Sequence, residues 1–162
     1  MTVVITVRNT CRKGWALTAG LEQLKQAIAM GERAGIGVGA LLGMTAEALE
    51  PGRVVFGLTP DPKFANPLGT VHGGVLSTLL DSAMSCAVHT TLPEGAGYTT
   101  LELKVNFVRA VPVQGGRLTC EGTTVHVGRR VATAEGRVLD GDGRLVAHGT
   151  ATCMVFPAVT EQ

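Results

Sequence analysis

The chain has 162 residues, of which 45% are hydrophobic and 17% charged, a length and balance that fit one domain with a sizeable core and exclude a disordered polymer. A formal charge of +1 leaves no basic excess for a phosphate backbone, so nucleic acid is not an expected partner. Any bound anion has to be met by a local cluster. Cys11, Cys86, Cys120 and Cys153 are widely spaced with no C-x-x-C pair, which argues against a metal site or a redox motif and for reduced thiols in a cytoplasmic protein. No uninterrupted apolar run of about 18 residues occurs and the first residues lack a basic n-region before an apolar stretch, so neither membrane insertion nor secretion is expected.

Residues 1–20 show no persistent period and form an arm of uncertain order, in which "TVVITV" could still add as a strand. One domain is expected over residues 21–158, followed by a short tail, 159–162. From Leu21, "LEQLKQAIAMGERAG" sets Leu21, Leu24, Ala27, Ile28 and Ala34 near one face of an amphipathic helix, which the following glycines end. The "GIGVGALLG" after it has the glycines of a dinucleotide loop but neither the preceding strand nor the βαβ setting. "GRVVFGLTP" reads as a short strand around Arg53 to Thr59, closed by Pro and Asp.

A long helix is expected from Gly73 to about Thr90, because apolar pairs recur every four residues: Val75-Leu76, Leu79-Leu80, Ala83-Met84 and Ala87-Val88. Four strands follow: Tyr98 to Ala110, Arg117 to Val127, Arg130 to Leu139, and Leu145 to Phe156. In the first of them Leu101, Leu103, Val105 and Phe107 alternate with Glu102, Lys104 and Asn106, the pattern of a strand with one wet face. Hairpin-length turns between the others predict an antiparallel meander. The "DGDG" turn lacks the downstream Glu of a calcium loop. The fold class is therefore α+β, a long helix packed on one face of an antiparallel sheet of five to six strands.

Between its apolar pairs this helix carries Ser77, Asp81, Ser85 and His89 at four-residue steps, one polar line along a face. An exposed line would use long charged stems; small polar groups suit close packing against another element. An ionised carboxylate there costs on the order of several kcal/mol unless it is partnered. That cost marks Asp81 as a functional candidate beside the alternative of a structural or capping role. Upstream, His72, Gly73 and Gly74 stand where the helix begins. Unpaired N–H groups of a first turn, backed by the helix dipole and bare of side chains, are what an oxyanion hole needs; "HGG" alone is more often an ordinary helix entry with a hydrogen-bonded histidine, and it gains weight from Asp81.

Gly73 and Asp81 are eight residues apart, about 12 Å along a helix. A reacting carbonyl has to sit within about 3 Å of both its oxyanion donor and its attacking water. One helix cannot supply both; two antiparallel copies related by a two-fold axis can. The spacing predicts an obligate homodimer with two sites, each built from both chains.

The residues Asn66, Gly69, His72, Gly73, Gly74 and Asp81, followed by "YTTLELKVNFVRAV", "GRRVATAEG" and "DGRLVAHGTATCMVF", resemble the hotdog-fold acyl-CoA thioesterases of the PaaI-like, phenylacetic-acid-pathway type. The likeness runs from about Gly43 to Phe156, with the core N-x-x-G-x-x-H-G-G-x-x-x-x-x-x-D matched without a gap. It implies that Gly73 N–H polarises the thioester carbonyl, helped by Asn66, and that His72 lines the site. It implies Asp81 of the opposite subunit as general base, or as a nucleophile forming a mixed anhydride. Ser85 and Thr100 are implied as holders of the attacking water, Thr100 being equally a threonine chosen for strand propensity. Gly128, Arg129 and Arg130 are implied as the site for coenzyme A phosphates, the plain alternative being solvated hairpin arginines. The implied partners are an acyl-CoA substrate and further copies of the chain, as a dimer or a dimer of dimers; no metal or resident cofactor is implied.

Two other activities fit the fold. A dehydratase or hydratase would want an H-F-P or D-x-x-x-x-H run, and neither occurs. A non-catalytic acyl-CoA sensor would have no need of Asp81.

Overall fold

The computed structural model describes residues 19–156. The N-terminal arm, with its strand alternative and Cys11, and the C-terminal tail of residues 159–162 lie outside these. In chain order the elements are α1 (Ala19–Ala34), α2 (Val38–Leu42), β1 (Thr45–Glu50), β2 (Arg53–Leu58), a 3-10 turn (Pro62–Phe64), α3 (Gly73–His89), β3 (Gly97–Phe107), β4 (Leu118–Val127), β5 (Val131–Leu139) and β6 (Leu145–Phe156). The strands make one six-stranded sheet in the order β1-β2-β4-β5-β6-β3, every neighbour antiparallel.

α3 lies across one face of that sheet. Its Leu76, Leu79, Leu80, Ala83, Met84, Ala87 and Val88 are buried against side chains of the strands, and full burial of one such leucine contributes about 2 kcal/mol. The approach is close because the sheet is bare where the helix crosses. Gly122, Gly136 and Gly149 stand in one row across β4, β5 and β6. A Cβ on Gly122 would come within 2.4 Å of the Ala83 backbone, and one on Gly136 within 2.9 Å of Met84 Cγ.

Three elements depart from what the residues alone suggest. The expected meander holds only for β4-β5-β6, because β3 pairs with β6 at the sheet edge and its connection to β4 crosses over instead of closing a hairpin. β1, "TAEALE", is a strand built of good helix formers; its pairing with β2 and the burial of Ala46 and Leu49 override propensity. α1 begins two residues before Leu21 and buries Leu21 and Leu24, but Ala34 at its other end is exposed, since the helix has by then run past the core.

β3 also differs from strict alternation. A register shift between Thr100 and Glu102 bulges the strand at Leu101, which is 55% exposed. The extra residue changes the phase. Tyr98 therefore packs on the same core as Leu103 and Val105, and Thr100 turns toward α3 instead of standing on the wet face.

Candidate active site

The loop before α3 is fixed by its own hydrogen bonds. Asn66 Oδ1 accepts from the N–H groups of Leu68 (2.9 Å) and Thr70 (3.1 Å), and Asn66 Nδ2 donates to Thr70 Oγ1 at 2.8 Å. Val71 N–H donates to Val111 O and His72 N–H to Phe64 O, so the loop is tied down on both sides. Asn66 thus folds the loop that delivers the helix, with one amide N–H to spare for a ligand.

His72 is the N-cap of α3. Its Nδ1 accepts from Gly74 N–H at 2.9 Å, so the neutral ring carries its proton on Nε2 and presents that N–H outward. With Gly74 held by the cap, Gly73 N–H takes no acceptor among the described residues. It is the open donor of the first turn, and the helix dipole adds to it. The Phe107 ring lies over it: a Cβ on Gly73 would meet Phe107 Cζ at 3.0 Å. Alternation places Phe107 on the apolar face of β3, but its seat against the helix entrance depends on the tertiary fold.

Asp81 is half-buried and is the sole carboxylate on α3. Thr100 Oγ1 donates to Asp81 Oδ1 at 2.9 Å, which orients one carboxylate oxygen and leaves the other for a ligand. The bulge at Leu101 is what allows this contact. Further along the same polar line, Ser85 is 7% exposed, and it and Cys86 lie against the Tyr98 phenol. The His89 ring packs on Tyr98 at 5.3 Å between centroids.

The surroundings of Asp81 are dry on this side. Burial pushes the Cys86 thiol up to about 11, the Tyr98 hydroxyl partly offsetting this and the Asp81 charge adding to it. Cys153, opposite Thr100 in the sheet, is raised by burial and by the same charge, against a hydrogen bond to Thr100. Tyr98 is raised and His89 lowered, both chiefly by burial. All four shifts favour the neutral form, so Asp81 faces thiols and a phenol and no competing ion among them.

Gly128, Arg129 and Arg130 form the β4–β5 turn, closed by Gly128 N–H to Val131 O at 2.9 Å. Thr100 is in register with Cys153, and Cys153 with Ala132, so the turn is about two residues beyond the row that carries Thr100 and about 10 Å across two strand spacings. Both arginines are exposed and form no ion pair among the described residues. The structure therefore gathers Asp81, Thr100 and Ser85 in one place and His72, Gly73 and Asn66 in another, with the arginine turn flanking the first group. Tyr98, Cys86 and Cys153 join that group without any signal in the sequence beyond their presence in α3, β3 and β6.

A long helix seated across a six-stranded antiparallel sheet defines the hotdog class. The family model for the Thioesterase superfamily matches residues 68–147. A Saccharolobus solfataricus protein provisionally named an esterase is 31% identical over 115 residues, covering 71% of this chain and 75% of its own. The crystal structure of a phenylacetic acid degradation-related protein from Ralstonia eutropha JMP134 superposes with a TM-score of 0.67 at 32% identity, over 78% of this chain and 98% of that one. The 1,4-dihydroxy-2-naphthoyl-CoA hydrolase of Listeria monocytogenes is 24% identical over 74% of this chain and 96% of its own. The chain belongs to the thioesterase superfamily.

Proposed function

We propose that the protein hydrolyses an acyl-CoA thioester to a carboxylic acid and free coenzyme A, in sites shared between two copies of the chain. The observation that carries this reading is the pairing of an oriented, half-buried carboxylate with an open amide that its own helix cannot bring to it. Asp81 takes the Thr100 hydrogen bond on Oδ1; its other oxygen removes a proton from water as that water attacks the carbonyl carbon. The oxygen of the carbonyl gains charge and is held by Gly73 N–H of the opposite copy, a donor of the kind that contributes about 3 kcal/mol to a transition state. Collapse breaks the C–S bond, and the proton held on Asp81 passes to the departing thiolate. Direct attack by Asp81, through a mixed anhydride that water then opens, uses the same residues.

The dimer is supported by β3. It is an 11-residue strand at the edge of the sheet with one side unpaired among the described residues, and Leu101, Phe107 and Val108 are exposed on and just after it. A long apolar edge is a liability unless a partner covers it. Pairing of dimers is what the family resemblance implies. Arg129 and Arg130 of the β4–β5 turn are assigned to the coenzyme A phosphates, and Ser85 to support of the Asp81 side. No helix among the described residues is long and apolar enough to cross a membrane, and the free thiols of Cys86, Cys120 and Cys153 favour a reducing, cytoplasmic setting.

The test is release of coenzyme A thiol from a panel of acyl-CoAs. Turnover of at least one acyl-CoA is expected; binding without release across the whole panel would turn the reading toward a sensor.

A further inference from the structure

A cavity of about 240 Å³ opens between α1, α2, β1, β2 and α3. Its wall is apolar, with Ile28, Ile36, Met44 and Phe56 facing it, and its floor is Ser82 and Cys86 of α3. Ser82 follows Asp81 directly. Cys86 stands on the next turn, near enough for the Asp81 charge to act on its thiol. The cavity therefore backs onto the surroundings of the proposed base.

We propose that this cavity receives the acyl tail of the substrate in the protomer that supplies Asp81, and that it selects an apolar tail of about six to nine carbons. The inference rests on the thioesterase reading above and adds the substrate class to it. An apolar protein cavity of about 150 Å³ holds benzene, roughly 25 Å³ per carbon, so 240 Å³ holds up to about nine carbons and not a chain twice as long. Charged or hydroxylated tails are disfavoured: Glu32 is the lone charged residue of the lining, and it lies on α1, not on the floor. Residues of α1 and α2 supply more than half of the wall, so these two helices set the length limit.

The test compares chain lengths in the full-length protein. Each buried methylene gains about fourfold, so kcat/KM should climb from butyryl-CoA to octanoyl-CoA and fall again at palmitoyl-CoA. Filling the cavity should reverse the climb. A Cβ on Gly39 meets no atom within 4 Å and Ala27 is an exposed helix position, so Gly39→Leu with Ala27→Leu adds volume where there is room. The octanoyl-to-butyryl ratio of kcat/KM should drop at least tenfold in this double variant, and an unchanged ratio overturns the assignment. If no acyl-CoA is turned over, the hydrolase reading fails and binding decides the cavity separately. Calorimetry with the octyl and butyl thioethers of coenzyme A should show the octyl compound bound at least tenfold tighter by the unaltered chain. Equal binding of the two overturns the cavity assignment, whether or not the double variant folds.

Discussion

Thr100 donates a 2.9 Å hydrogen bond to Asp81, joining the edge strand of the sheet to the middle of the central helix. The bond exists because β3 bulges one residue later, at Leu101, and so turns Thr100 inward. A carboxylate placed this way has one oxygen fixed and one free, which is the state a general base needs before its water arrives.

Asp81→Ala is expected to lower kcat at least about 10²-fold, with the native fold retained. Thr100→Val should cost roughly tenfold in kcat and little in KM, because it removes the orienting bond and leaves the base. Thr100→Ser should recover most of the loss. Steady-state kinetics on the three variants checks this; near-normal turnover by Asp81→Ala would remove Asp81 from the mechanism.

His72 caps α3 through Nδ1, so His72→Ala should cost about 1 kcal/mol in urea denaturation. His72→Asn keeps an acceptor at the cap and should restore that stability. Its turnover separates the two roles: a rate that stays low while stability returns assigns Nε2–H to the substrate, and a rate that returns with stability makes His72 a cap alone.

The bare row in the sheet predicts an asymmetry between glycines. Gly122→Ala should destabilise by about 2–3 kcal/mol, since its Cβ would press on the Ala83 backbone at 2.4 Å, which cannot swing aside. Gly39→Ala, a helix position with open space, should stabilise by about 0.5–1 kcal/mol. Equal effects in thermal or urea melts contradict the packing described for α3.

The buried thiols set a limit in alkali. Cys120 is fully buried and pushed up to about 12, and Cys86 to about 11, against about 9 in an open chain. A thiol with a raised folded pKa binds its proton more tightly in the native state, so its contribution to stability is complete below pH 9 and is lost as pH rises from there toward 11 and 12. The urea midpoint should therefore fall above pH 9, and Cys120→Ala should flatten part of that fall. A midpoint that holds steady from pH 8 to pH 11 contradicts the burial assigned to both thiols.

Much of this was legible in the residues. The four-residue repeat of apolar pairs predicts α3 from Gly73 to Thr90, and the helix runs Gly73–His89 with Thr90 as its C-cap. β6 has the expected bounds, and β4 and β5 lie within a residue of theirs. The small polar line on α3 packs against β3, as side chains without long stems should. β1 was not legible because "TAEALE" carries helix propensity and becomes a strand only through β2. The bulge at Leu101 was hidden by a perfect alternation from Leu101 to Phe107, whose phase slips one residue earlier. The row Gly122, Gly136 and Gly149 needs the register of three strands before it has meaning, and the cavity under α1 and α2 needs all five elements around it.

The central claim is a site that draws on two chains, and subunit mixing tests it most directly. Asp81→Ala and Gly73→Val chains, each inactive as a homodimer, can be co-expressed with different tags and the heterodimer isolated. One of its two shared sites then holds an unaltered Gly73 from one chain and an unaltered Asp81 from the other, so the account predicts about half of the unaltered dimer's turnover. A heterodimer as inactive as its two parents would contradict it.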